Sequence, residues 1–94
     1  ARLLGPNPFS MSSGSTTITV TDIMHGRSTN DTVRFRNVEG FPGGLAPTAF
    51  TAGSGFSITV TGTDNYTFTL GSTPTITEQS GGMTVTAGPV TLDA

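Results

Sequence analysis

Cysteine and lysine are wholly missing from this 94-residue chain, and each absence excludes something. Without cysteine there is no disulfide and no thiolate metal site, and nothing marks a redox compartment. A small domain lacking those staples draws stability from backbone pairing or from association with neighbours. Without lysine, the only cations are Arg2, Arg27, Arg34 and Arg36, and charged residues make up 11% of the chain, about half the usual share. With a net charge of −2 there is no basic stripe of the kind that holds nucleic acid. No apolar run approaches the roughly 18 residues of a membrane span, and no basic n-region leads into a hydrophobic stretch as a secretory signal would. Neither nucleic acid nor membrane is therefore an expected partner. A surface so short of charge suits a protein packed against others, because a free monomer usually keeps its solubility through many charges.

What the chain does have is threonine at every second position of several short segments: Thr17 to Thr21, Ser57 to Thr61, Tyr66 to Leu70 and Met83 to Thr86. A period of two puts the Ile, Val, Phe and Leu side chains on one face of a strand and the Thr hydroxyls on the other. Thr suits this because its branched Cβ is stiff and its hydroxyl tolerates water or a polar neighbour. Apolar residues are 33% of the chain, a fraction that would suggest disorder if they were scattered. They are phased, so the chain folds.

Residues 15–22 read as a first strand with Ile18 and Val20 inward. A loop over 23–31 leads to a second at 32–38, with Val33 and Phe35 inward and Arg34 and Arg36 outward. The Gly- and Pro-rich stretch 39–55 is a long connection, in which Ala46 to Phe50 suits one helical turn opened by Pro47. Strands at 56–61 and 65–70 flank a hairpin turn at Gly62-Thr63-Asp64-Asn65. A weak strand covers 74–78, and 83–92 supplies a last strand or bent pair broken at Gly88-Pro89. The expected fold is all-β: a small, mostly antiparallel β-sandwich or partly open β-barrel of about six strands. Residues 1–13 show neither period and contain two prolines, so they read as an extended N-terminal arm before a single β-domain of residues 14–94. Either Phe9 and Met11 fold back onto the core, or the arm reaches a neighbour. Leu3 and Leu4, farther out, are expected to dock on another subunit, since burying a Leu contributes about 1.5–3 kcal/mol. On this reading, removing residues 1–10 leaves the domain folded but unable to join its assembly.

Reactive constellations are scarce. His25 is the sole histidine, but no strand-to-helix elbow presents a serine beside it, so it reads as a rim-turn residue bonded to backbone. The carboxylates are dispersed, with no acidic calcium loop. Gly40 to Gly44 lacks the lysine and helix of a phosphate loop. No catalytic residue, metal ligand or cofactor is expected. Arg34 and Arg36 leave the same strand face about 7 Å apart and are either a solvated edge or bidentate partners for a neighbour's acids. Phe41, Leu45 and Phe50 read first as loop-to-core anchors, and otherwise as a ligand platform.

Taken together, Gly14 to Thr21, His25-Gly26-Arg27-Ser28 and Asp31-Thr32-Val33-Arg34-Phe35 resemble a small β-domain recurrent in virion proteins of tailed bacteriophages. Phe41-Pro42-Gly43-Gly44-Leu45 matches that module's Gly-rich loop. Asp64 to Thr69 matches its hairpin, and Gly81 to Thr86 its closing strand. Asn30 stands where the module usually has glycine, which Asn accommodates by tolerating left-handed backbone. The resemblance implies a structural virion protein and brings no enzymatic residues. The reading it leads to is a multi-copy accessory subunit of decoration or cement type, located in the virion after assembly in the host cytoplasm. Its partners would be copies of itself and other virion proteins such as the major capsid or tail proteins. The start at Ala1 is read as a complete short protein that has lost its initiator methionine. The contacts would be made by Leu3, Leu4, Phe9, Met11, Arg34, Arg36, Phe41 and Phe50. The competing reading is a tail appendage or fibre module that binds host-surface glycan or protein, with Phe41, Phe50 and Tyr66 as stacking groups.

Overall fold

Stiff, β-branched threonines alternating with apolar residues favour extended backbone, and the computed structural model, which describes residues 2–90, uses them so. Nine short strands form among the described residues: β1 (Arg2–Leu3), β2 (Phe9–Met11), β3 (Thr17–Thr21), β4 (Thr32–Arg36), β5 (Phe56–Ser57), β6 (Thr59–Gly62), β7 (Asn65–Thr69), β8 (Glu78–Ser80) and β9 (Thr86–Gly88). They make two antiparallel sheets, one of four strands in the order β1-β9-β4-β5 and one of five in the order β6-β7-β3-β2-β8. The fold is an all-β sandwich. The hairpin at Thr63 and Asp64 joins β6 to β7 as expected, and a 3₁₀ turn spans Pro47–Ala49. Asn30 takes the left-handed conformation expected of it, at φ +77°.

The inner faces carry the alternation. Ile18, Val20, Val33, Phe35, Phe68 and Leu70 are buried, while the intervening threonines are half-buried or exposed. An aromatic cluster spans the two sheets. Phe9 meets Phe35 edge-on with ring centres 5.1 Å apart, Phe35 meets Phe68 at 5.1 Å, and Phe56 meets Phe68 at 4.4 Å. Phe50, from the long connection, stacks on Phe9 at 5.0 Å. Such contacts add about 0.5–1.5 kcal/mol each beyond area burial.

The expected division at residue 13 does not describe this packing. The leading segment is extended, but it belongs to both sheets. Arg2 and Leu3 pair with Ala87 and Thr86, and β2 lies inside the five-stranded sheet between β3 and β8. The physical reason is Phe9: fully buried at the aromatic cluster, it pulls its strand into the sheet. The single strand expected at 56–61 is instead two. Ile58 exchanges backbone hydrogen bonds with the Asn30-Asp31 turn (Ile58 N–H to Asp31 O, 3.0 Å; Asn30 N–H to Ile58 O, 2.8 Å), and there the chain crosses from one sheet to the other. The strand expected at 74–78 starts only at Glu78. Of the stretch 83–92, β9 occupies Thr86–Gly88; residues 91 and 92 lie outside the described residues.

Strand register gives the sandwich two distinct ends. At one, β1 begins and β9 finishes, side by side, next to the exit of β3. At the other lies the loop after β4, where Glu39 N–H bonds Gly81 O and Thr75 N–H bonds Gly43 O. Gly43 sits there at φ +62°, and a Cβ on it would lie 2.6 Å from the Met11 sulfur and 2.8 Å from Pro74 Cβ, so only glycine fits.

Candidate functional site

Asp22 continues the phase of Ile18 and Val20, so it points inward, and its side chain is fully buried where β3 ends. Burying a carboxylate demands partners. Tyr66 on β7 donates its hydroxyl to Oδ2 at 2.9 Å, and Arg27 Nε stands 3.5 Å from the same oxygen. Arg2 Nε lies 3.0 Å from Oδ1, yet no N–H is aligned on that oxygen, so the contact is Coulombic rather than a directed hydrogen bond. The Arg2 guanidinium also donates to the backbone carbonyls of Ile23 and Met24, and Arg27 reaches the Ala87 carbonyl at 3.4 Å. Burial, and then the negative charge of Asp22, push the Tyr66 hydroxyl well above the usual phenol range. The cluster ties β1, β3, β7, β9 and the following loop together at the end where the chain enters and leaves.

His25 packs edge-on against Tyr66 with ring centres 5.1 Å apart. Its Nδ1 accepts the Arg27 backbone N–H at 2.8 Å, so its proton sits on Nε2, which lies 2.8 Å from the Gly62 carbonyl oxygen. Both ring nitrogens are engaged by backbone, which makes His25 the rim-turn residue that its surroundings in the sequence indicate. Among the described residues no cleft opens, no group of three or more His, Asp or Glu side chains is placed to hold a metal ion, and no helix is long and apolar enough to cross a membrane.

The structure separates the expected contact residues. Phe9, Met11 and Phe50 are core residues, 0%, 5% and 0% exposed, and a partner could touch them only if the sandwich opened. Tyr66, proposed as a stacking group, is likewise fully buried. Leu4 is half-buried and packs on the core. Leu3 and Phe41 remain open, at 62% and 69% exposure. Arg34 and Arg36 are half-buried on the outer face of β4. Phe41 shares its end of the molecule with exposed Ile76 and Met83: Gly44, whose N–H bonds the Phe41 carbonyl, lies against Ile76, and Met83 N–H bonds the Glu39 carboxylate. The Asp22 cluster was missed by sequence reasoning, although its phase with Val20 was the available signal.

This geometry defines a small all-β sandwich domain closed at one end by a buried carboxylate cluster. No protein-family model and no curated protein sequence matches the chain. Among solved structures, it is similar to part of a phage phi92 endosialidase, at 28% identity and a TM-score of 0.70. The likeness covers 94% of this chain and 12% of the endosialidase, so the chain corresponds to a small fraction of that longer protein.

Proposed function

We propose that this chain is a non-catalytic module of a bacteriophage tail appendage that contacts host-surface glycan or protein through the loops carrying Phe41. The observation that carries this reading is the near full-length likeness to a 12% portion of a phage endosialidase. It supports an appendage module better than a shell-decorating subunit, because the related module resides within an enzyme rather than a coat component. The rest of the geometry fits. Polar groups of the Asp22 cluster are consumed by the fold, so the module offers anchoring surface rather than turnover. An endosialidase by its name acts within sialic-acid chains, which makes an acidic surface glycan a reasonable first ligand to try.

The reading is tested by labelling the purified chain and measuring its retention on intact host bacteria, beside electron microscopy of particles carrying a tagged copy. Retention that falls at least tenfold in Phe41→Ala (about 1.4 kcal/mol), with unchanged thermal stability, and a tag on the tail are the expected results. A tag spread over the head would return the decoration reading. No retention on host cells, with the tag on the tail, would leave a structural appendage module without host contact.

A further inference from the structure

Outside the Asp22 cluster, the described carboxylates are already used within the chain. Asp31 Oδ2 accepts the Ser28 N–H at 2.8 Å. Glu39 Oε1 accepts the Thr84 hydroxyl at 2.9 Å, Asp64 Oδ1 the Met24 N–H at 3.0 Å, and Glu78 Oε2 the Gly43 N–H at 2.7 Å. Arg2 and Arg27 have Asp22. Arg34 and Arg36 have no carboxylate among the described residues, and Arg34 Nε and Arg36 Nη1 are cut off from water with no acceptor. Arg36 is held in place, because its Nη2 donates to the Val90 carbonyl at 2.9 Å.

Register sets these two cations on one platform. Arg36 is opposite Thr86 and Arg34 is opposite Gly88, which has no side chain to screen it. Leu3 lies opposite Thr86 from the other side. The outer face of the four-stranded sheet thus presents two half-buried guanidinium groups beside an exposed Leu. A partly desolvated cation attracts an anion more strongly than one in water, and a fixed guanidinium loses less freedom on binding.

We propose that this face docks a partner protein through carboxylate side chains of that partner, which meet Arg34 and Arg36 while an apolar side chain covers Leu3. The partner is taken to be a different chain or domain rather than a second copy, because Asp31, Glu39, Asp64 and Glu78 each already hold a hydrogen bond within this chain. The inference goes beyond host contact: it uses a sheet face, not the Phe41 loops, and stands or falls separately.

The test is titration of the purified chain with a short polyglutamate peptide, followed by NMR at the arginine Nε–H signals, with an oligosialic acid of similar charge as the comparison. The expected result is a saturable shift, by the peptide, of the Arg34 and Arg36 signals and of the backbone amides of their cross-strand partners Thr86 and Gly88, weakened several-fold by physiological salt; in Arg34→Gln/Arg36→Gln the amide shifts are expected to vanish. Should that variant fail to fold, Arg34→Lys/Arg36→Lys keeps the charge and is expected to lose most of the affinity with the bidentate geometry. No shift at millimolar peptide, a shift that survives in the Gln or Lys variant, or a response to the oligosialic acid alone would each overturn the proposal; the last would assign the face to acidic glycan.

Discussion

Alkaline pH provides an unusually clean perturbation of this fold. The chain has one tyrosine, no lysine and no cysteine, and arginine does not titrate below about pH 12. Between roughly pH 9 and 12, therefore, Tyr66 is the one side chain that changes charge. In the folded state its hydroxyl is buried and donates to the Asp22 carboxylate, so its pKa is raised; in the unfolded chain it titrates near 10. A raised folded-state value means that the stabilisation is fully present below the unfolded value. It is lost as pH climbs above that value, because the unfolded chain then releases a proton the fold retains. The loss is about 1.4 kcal/mol per pH unit above pH 10, which for a domain this size lowers Tm by about 6–11 °C per unit. Thermal melts by circular dichroism across this range, with tyrosinate absorbance recorded in parallel, test it. Tyrosinate is expected only as the fold is lost, and Tyr66→Phe is expected to have a flat Tm over the same range. Tyrosinate forming with an ordinary midpoint in a still-folded protein would refute the argument, since it would put the Tyr66 hydroxyl in water.

Further outcomes are expected in the core and in the long connection. Phe9→Ala removes the hub of the aromatic cluster and is expected to cost about 3–5 kcal/mol in denaturant melts; deletion of residues 1–10 should then unfold the domain outright, the reverse of what an appended arm would show. Gly43→Ala puts a Cβ within 2.6 Å of the Met11 sulfur at a left-handed φ, and is expected to lose more than about 1 kcal/mol, read as a lowered Tm, whereas Gly53→Ala, with open space around it, should lose little.

Much of this fold is legible in the threonine alternation, because period-two burial depends on local backbone geometry alone. That reasoning places Ile18, Val20, Val33, Phe35 and Phe68 inward, and they are inward. It fails where a long-range contact decides. Phe9-Ser10-Met11 is too short to show a period after the two prolines that precede it, yet Phe9 is drawn between β3 and β8 by rings from three distant segments. Ile58 sits in an unbroken alternating run, and only its bonding to the Asn30-Asp31 turn divides that run between sheets. The site was less legible. Tyr66 and Asp22 share the inward phase of their strands, but the sequence offers Tyr66 as a stacking group and Asp22 as one of several dispersed carboxylates. Only their mutual pairing, across 44 positions of sequence, makes burial tolerable for both. Of the two exposed apolar groups that survive as contact candidates, Leu3 lies in a two-residue strand and Phe41 in a loop, neither with a period to place it.

Because β1 and β9 run antiparallel as immediate neighbours, with Arg2 beside Ala87, tension applied through the two ends of this module would peel that pair apart bond by bond rather than slide it. Unzipping yields at lower force than shear. The first rupture would free the two-residue β1 and tear Arg2 from Asp22, while Phe9 still holds the next segment in the opposite sheet. Under load such a tile would lengthen by a few residues at its root before the aromatic interior felt any strain.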